Sequence, residues 1–249
     1  MDLYNIRKFI IGSVFVLNGL IAGWDPEVLT LTNPSVNPQK IQDQSFQQLE
    51  QSVCSYLQNS WCSQEKAKLI LETVVLTQPK VSVEIGAFTG SSALPLLAGL
   101  KWLKSGHAYV IDAWSNAEAI SGLKADDPNA KWWGSIDMRS IKKQCKNLIS
   151  SWALDPYCSV VQASSQQAAS KIGSIDFLHL DGNFSEEGAL SDTLNYLPKV
   201  KSGGYILLSN LFMIVDSKPT KKKALWPIFD SCEIVAEIEN GNVVLFRKK

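Results

Sequence analysis

Short apolar runs alternate with longer amphipathic stretches through most of the chain. The apolar runs at residues 83–85, 107–114, 159–163 and 175–181 have the length and composition of buried β-strands. Between them, apolar residues recur three and four positions apart, which predicts helices over residues 93–103, 137–152 and 188–197. Strands that alternate with helices predict an α/β domain built on a parallel sheet.

The C-terminal end breaks this alternation. Residues 232–238 and 242–246 are apolar or alternating runs on either side of Asn240 and Gly241, which is a strong signal for a β-hairpin. A dinucleotide-binding domain would normally end in another helical crossover. The pattern therefore predicts a doubly wound, Rossmann-like sheet that finishes in an antiparallel β-hairpin.

The N-terminal part of the chain has a different character. Arg7 and Lys8 precede an apolar run over residues 9–23, which is the layout of a secretory signal peptide. The run is short for a spanning helix, so a signal peptide is favoured, with a membrane anchor or a docked helix as alternatives. We predict an apolar segment over residues 1–24, a linker and helical segment over 25–62 with a helix at 43–59, and a domain over 63–249 that opens with a helix at 63–76.

Composition excludes some classes of partner. Lys plus Arg and Asp plus Glu both number 24, so no net charge favours nucleic acid or an anionic membrane, and we expect no nucleic-acid partner. The local basic cluster after residue 217 is interpreted as a solvated helix start: Lys218, Lys221, Lys222 and Lys223. The five cysteines show no C-x-x-C spacing, hence no zinc or redox motif; Cys54 and Cys62 could pair if the protein is exported, or remain reduced.

The first candidate site follows the strand at residues 83–85. The chain reads Glu84-x-Gly86-x-x-x-Gly90 and then enters an apolar helix. A strand, a glycine turn and a helix N-terminus together bring backbone N–H groups towards a ligand, which predicts a nucleotide-like cofactor. The middle glycine of a dinucleotide fingerprint is missing, and a carboxylate at position 84 would repel a pyrophosphate.

A second carboxylate comes at the end of the next strand. Asp112 lies 26 residues after Gly86, about one helix and one strand further on. A carboxylate there can accept hydrogen bonds from both hydroxyls of an adenosine ribose. Trp114 then either flanks the adenine ring or caps the sheet, and the sequence leaves both open.

Two later stretches could border the part of the site where a second ligand binds. Residues 116–134 are polar, predict an irregular loop and carry Trp132 and Trp133, which form either a lid over the site or an anchor of the loop to the core. The strand at 175–181 ends in Asp181 and a turn, and its His179 lies between apolar neighbours, which favours a buried core histidine over a catalytic base.

Taken together, these motifs resemble the class I S-adenosylmethionine (SAM) methyltransferases, in the group that includes the macrocin O-methyltransferase-like enzymes. The resemblance rests on residues 84–92, 111–114, 176–182 and 203–206 and covers residues 63–249. It implies a doubly wound, seven-stranded methyltransferase sheet with SAM as cofactor. It also implies cofactor-binding roles for Glu84, Gly86, Ala87, Gly90, Ser91, Asp112, Trp114, Ser164 and Asp181, and a substrate-positioning, catalytic role for Asp181 and Asn183.

The sequence departs from that group at its metal site. The group's turn reads D-G-D-H-S-Y-E-G and a later strand ends in two acids, which bind a divalent metal together with the first Asp. Here Asn183 and Phe184 stand in the turn, and Ser209 and Asn210 end the later strand. Magnesium prefers several hard oxygen ligands, and only Asp181 remains charged. The sequence therefore predicts no metal ligands and makes a divalent metal doubtful.

Three functions follow from these observations. The favoured one is methyl transfer from SAM to an oxygen or nitrogen of a small-molecule acceptor, which depends on alignment more than on acid-base chemistry. A degenerate SAM-fold binding protein is the alternative, and a nicotinamide-dependent oxidoreductase is disfavoured by the missing glycine and the hairpin. An export signal or membrane association through residues 9–23 would conflict with the cytosolic origin of SAM, so the sequence leaves the compartment open.

Overall fold

A computed structural model of the chain describes residues 29–30, 36–215 and 218–249, without the side chain of Lys218. The predicted signal peptide or anchor, and with it the apolar run at 9–23, lies outside these residues. Within them, no helix has both the length and the apolar character that crossing a membrane requires.

The central element is a seven-stranded sheet. The strands of the described residues are β1 Val81–Ile85, β2 His107–Asp112, β3 Cys158–Gln162, β4 Ile175–Leu180, β5 Val200–Leu208, β6 Ile214–Val215, β7 Lys218–Pro219, β8 Cys232–Ile238 and β9 Val243–Lys248. The order in the sheet is β3-β2-β1-β4-β5-β9-β8. The first five strands in this order are parallel, whereas β9 runs antiparallel to both β5 and β8. A two-stranded ribbon, β6 with β7, is separate from the sheet.

Helices cover both faces of the sheet. The α-helices with both ends inside the described residues are α1 Gln44–Tyr56, α2 Gln64–Thr77, α3 Ala93–Leu103, α4 Asn116–Ala119, α5 Pro128–Ser135, α6 Met138–Ser151, α7 Ser165–Ala169, α8 Glu186–Tyr196 and α9 Lys222–Ser231. One face of the sheet packs against α1, α2, α3 and α6, and the other against α7, α8 and α9, with apolar side chains alternating between the two layers along each strand.

Helix starts follow the capping residues that the sequence supplies. Asp43, Ser63 and Asp137 each accept a backbone N–H at the start of α1, α2 and α6. Each predicted helix therefore begins one residue after its polar cap. Phe46 and Val53 of α1 are buried in the same core as the sheet, so residues 36–62 pack directly on the domain.

The predicted doubly wound sheet with a terminal hairpin is confirmed. β8 and β9 pair as an antiparallel hairpin through a turn at Glu239–Gly241, where all three residues have positive φ. β9 lies between β5 and β8 and pairs with both, so the hairpin adds two antiparallel strands at one side of the parallel sheet. All five cysteines are free, Cys54 and Cys62 among them.

Two local predictions were wrong. Residues 116–134 are not an irregular loop, because α4 and most of α5 form there, started by the caps Ser115 and Asp127. The basic cluster is not uniformly solvated either: Lys223 is exposed and pairs with Glu186, but the Lys221 side chain is only 1% exposed. Helical periodicity could not reveal this, because Lys221 precedes α9 and is buried by tertiary packing.

Candidate active site

A cavity of about 400 Å³ opens at the carboxyl ends of the parallel strands, a size within the usual range for small-molecule sites. Ligands bind at this edge of an open parallel sheet because the strand order reverses there. Here the order reverses between β1 and β4, and the turns after these two strands both line the cavity. Further lining residues end or follow β2, β3 and β5: Asp112, Ala113, Ser115, Ala163, Ser164, Ser165 and Asn210.

The turn after β1 needs glycine for two reasons. Gly86 has a φ of +89°, and a Cβ on it would lie 2.2 Å from the carbonyl oxygen of Asp181. Gly90 has a φ of +85° and donates its N–H to the Ala87 carbonyl, which closes the turn. Gly86, Ala87 and Ser91, which are predicted to bind the cofactor, line the cavity, whereas Gly90 lies outside its lining.

Asp112 connects the ends of β1 and β2. Its carboxylate accepts the N–H of Phe88 at 2.8 Å through Oδ2 and the N–H of Trp114 at 2.6 Å through Oδ1. Burial raises the pKa of this carboxyl, and the two backbone hydrogen bonds partly oppose the rise. The carboxylate still lines the cavity, and its remaining lone pairs can accept hydroxyl groups there.

The structure corrects the contact predicted for Glu84. Its side chain is completely buried and does not line the cavity. Oε1 accepts the Ser92 hydroxyl at 2.5 Å and lies 3.1 Å from Nδ1 of His179, its neighbour across β1 and β4. Glu84 faces the layer of α2 and α3 because strand residues alternate between faces, so it supports the turn from behind.

His179 is a buried core histidine, as predicted. Its side chain is 1% exposed, and both ring nitrogens have partners: Glu84 at Nδ1 and the Ser209 hydroxyl at Nε2, 2.9 Å away. These two bonds leave no nitrogen for a proton transfer with a ligand.

Of the two residues predicted near the adenine, Ser164 lines the cavity and Trp114 does not. The Trp114 indole is 5% exposed, donates Nε1–H to the Phe88 carbonyl at 2.9 Å and lies outside the cavity lining, so it caps the sheet. Ser164 lines the cavity at the end of β3, where its hydroxyl also caps α7. The indole cannot reach the cavity because its ring fills the core beneath the turn after β1.

Asp181 lies at the centre of a charged cluster that the sequence did not reveal. Lys66 of α2, with a side chain 7% exposed, brings its ammonium to 3.3 Å from Oδ2 of Asp181, and the Asn210 amide donates to Oδ1. Burial lowers the pKa of Lys66, but the nearby Asp181 carboxylate reverses this and leaves it raised. Burial also lowers the pKa of Lys221, which is opposed by the charges of Asp181 and Asp192.

Asn183 lines the cavity and also holds two segments of its border together. Its amide donates to the carbonyls of Glu118 and Ser121, and its oxygen accepts the Ser185 N–H. These bonds fasten α4 and the segment after it to the turn after β4. They give the side chain a structural role, and its catalytic role stays a prediction.

A continuous aromatic wall borders the cavity. It consists of Trp61, Phe88, Trp132, Trp133 and Phe184, whose neighbouring ring centroids lie 4.7–6.5 Å apart. The wall spans from the turn after β1 to the turn after β4. Trp61 and Trp132 remain 64% and 42% exposed. The tryptophan pair was predicted from the sequence, whereas Trp61 was not, because it lies outside any motif.

The side chains around Asp181 do not fit the divalent metal that is bound in the group that the sequence resembles. Both Asp181 oxygens already accept a proton donor, and the Ser209 hydroxyl is buried against His179. An ammonium at 3.3 Å would repel a second cation. Among the described residues, no group of three or more His, Cys, Asp or Glu side chains could hold a metal ion.

Comparison with solved structures supports the fold. The chain is similar to the Podospora anserina methyltransferase PaMTH1 with S-adenosylhomocysteine (SAH) bound, at a TM-score of 0.57 and 12% identity over 93% of this chain and 99% of that one. It is also similar to the O-methyltransferase NovP (TM-score 0.55, 19% identity, 74% and 78% covered) and to a Bacillus cereus O-methyltransferase in complex with SAH (0.53, 14%, 83% and 91%).

Sequence comparison gives the family. No curated protein matches the chain, but residues 83–211, just over half of it, match the family model described as a methyltransferase domain. This match spans the glycine turn, Asp112, the turn at Asp181 and every member of the aromatic wall except Trp61. The chain therefore belongs to the methyltransferase-domain family, as its sequence motifs predicted, and it shares the fold of the SAH-bound methyltransferases named above.

Proposed function

We propose that this protein transfers the methyl group of SAM to an oxygen atom of a small-molecule acceptor, without a divalent metal. One observation carries the proposal: a single cavity joins the glycine turn and Asp112, which suit a nucleoside, to Asp181 and an aromatic wall, which suit a second ligand. Two similar solved structures are named O-methyltransferases, which supports oxygen as the methylated atom.

The residues of the cavity divide into a cofactor end and an acceptor end. At the cofactor end, Asp112 accepts the ribose hydroxyls, Gly86, Ala87 and Ser91 hold the methionine part, and Ser164 lies near the adenine. Glycine at position 86 lets the ligand approach the backbone closely. At the acceptor end, Asp181 accepts a hydrogen bond from the acceptor hydroxyl and the aromatic wall fixes the body of the acceptor.

The protein's contribution is mainly alignment. When bound, SAM would supply an electrophilic methyl group; its transfer to the acceptor oxygen would form a C–O bond, break the C–S bond and leave SAH. Asp181 orients the acceptor oxygen, and the hydroxyl proton is released to solvent, so the products are methyl ether, SAH and a proton. Orientation of two bound reactants can supply much of the rate acceleration.

Cofactor binding and turnover test the proposal in that order. Calorimetric titration of SAH into the full-length chain should give saturable binding. SAM carrying a tritiated methyl group, incubated with a panel of phenols and sugars, should then label at least one acceptor at a rate unchanged by EDTA. Binding without any labelled acceptor would instead support the degenerate binding protein, and the absence of SAH binding by folded protein would refute the proposal.

The aromatic wall gives a separate prediction about the acceptor. Trp132→Ala should raise the acceptor KM by about tenfold, because roughly 1.4 kcal/mol of ring contact is lost, while SAH affinity changes little. The matched control is Trp226→Ala, which removes a similarly exposed tryptophan, 46% exposed, outside the cavity lining. Equal weakening of SAH and acceptor by Trp132→Ala would assign the wall to the cofactor instead.

A further inference from the structure

Lys66 is a buried charge with a specific partner at the acceptor end of the cavity. Lysine is almost never buried without a compensating interaction, because its ammonium loses strong hydration. Here the side chain is 7% exposed and its ammonium lies 3.3 Å from Asp181. α2 carries it there from the helical layer that covers the sheet, and Ser63 fixes the start of that helix. The position of this ammonium is therefore set by the fold.

The other groups around Asp181 are hydrogen-bond donors and a second ammonium. Asn210 donates its amide to the other carboxylate oxygen, and Ser209 bonds to His179. Lys221 is a second buried ammonium, and the charge of Asp181 opposes the lowering of its pKa by burial. In the group that the sequence resembles, two carboxylates stand at the positions of Ser209 and Asn210 and hold a divalent cation together with the first Asp.

The net charge beside Asp181 leaves no room for a divalent cation. In the group that the sequence resembles, a divalent cation and three carboxylates together carry one net negative charge. Here the Asp181 carboxylate and the Lys66 ammonium already carry no net charge. A divalent cation added to this pair would leave two uncompensated positive charges at a buried position.

We propose that the Lys66 ammonium takes the place of the divalent cation beside Asp181, and that it excludes metal from this site. Lys66 does not line the cavity, so it is a positioning residue that acts on the acceptor through Asp181. The inference about the acceptor rests on the proposed function. The exclusion of metal does not, because it can be measured without any acceptor.

Manganese binding provides the test. Mn²⁺ is titrated into the full-length wild type, Lys66→Ser, Asn210→Asp and the double variant, and bound ion is followed by electron paramagnetic resonance. We expect no specific Mn²⁺ binding to wild type. The double variant should bind Mn²⁺ at least about tenfold more tightly than the Lys68 control described next, because it lacks the repelling ammonium and gains a carboxylate. Asn210→Asp with Lys68→Ser is the matched control, because Lys68 lies on the same helix and is 48% exposed.

Two results would overturn the inference. One is wild-type Mn²⁺ binding that Asp181→Asn abolishes, which would show a metal beside Lys66. The other is a folded double variant that binds Mn²⁺ no better than the Lys68 control. Thermal unfolding monitors folding, and Lys66→Gln, which keeps a hydrogen-bond donor for Asp181, repeats the test if Lys66→Ser unfolds.

Kinetics separate the positioning role from the proposed function. Lys66→Gln should lower kcat by about tenfold or more while SAH affinity is retained, and Lys66→Arg should restore part of the rate because it keeps the charge. Unchanged kcat in Lys66→Gln would contradict a positioning role. If the folded wild type does not bind SAH, the proposed function is refuted, but the manganese result is unaffected.

Discussion

Gly86→Ala is expected to abolish SAH binding and to lower the free energy of unfolding by roughly 2–5 kcal/mol. A Cβ at this position would lie 2.2 Å from the Asp181 carbonyl oxygen and 2.9 Å from Cα of Gly182. Neither group can move away, because Asp181 directly follows β4 and its N–H is bonded to the Ile85 carbonyl. The φ of +89° adds backbone strain for any L-residue.

The matched control for this substitution is Gly134→Ala. Gly134 lies in α5 near the aromatic wall, a Cβ there would meet no atom within 4 Å, and its φ is not positive. Gly134→Ala should leave SAH affinity and the thermal midpoint nearly unchanged. Calorimetry and thermal unfolding measure both variants, and tight SAH binding by Gly86→Ala would show that the turn does not carry the cofactor.

Asp112→Asn is expected to weaken SAH binding by about 100-fold, or roughly 2.7 kcal/mol, because the ribose hydroxyls lose a charged acceptor. Asparagine also replaces one carboxylate oxygen with an amide NH₂ group, which accepts no hydrogen bond. The side chain could then accept the N–H of Phe88 or that of Trp114 on its remaining oxygen, but no longer each on an oxygen of its own. The substitution should therefore also loosen the turn after β1, and the thermal midpoint should fall. Asp126→Asn, at an exposed position outside the cavity, is the control.

The affinity for SAH should also depend on pH through Asp112. Burial raises the pKa of this carboxyl, so it protonates at a higher pH than an exposed aspartate does. The protonated form accepts hydrogen bonds poorly, and affinity should fall as the pH is lowered through the raised pKa. Calorimetry from pH 7 to about 4.5 should show this loss in wild type. The same slope in Asp112→Asn would assign the pH dependence to another group.

Part of the site is local in sequence and could be predicted from it. Gly86, Ala87 and Ser91 lie in one turn, and Asp112 and Asp181 each end a strand, so the rule that parallel strands share a carboxyl edge brings them together. The structure places all five at one cavity. The hairpin about Asn240 was predictable for the same reason, because its signal lies in neighbouring residues.

Other parts depend on which face of an element meets which neighbour. Glu84 belongs to the motif but points into the layer under α2 and α3, so it supports the turn from behind. Asn183 follows a motif directly, yet its amide donates hydrogen bonds to carbonyls more than 60 positions away in the chain. Sequence alone gives no measure of such long-range hydrogen bonds.

The sequence by itself determined the fold class, the family and the strand-end residues of the site, because periodicity and turn chemistry are local properties. Only the tertiary structure decided how the site is completed. Trp61 joins the aromatic wall and Lys66 joins Asp181 from segments more than 20 and 100 positions away, respectively, from their partners. Such contacts form when separate elements pack together. The apolar periodicity of one segment shows which of its residues are buried, but it does not show which distant residue each of them contacts.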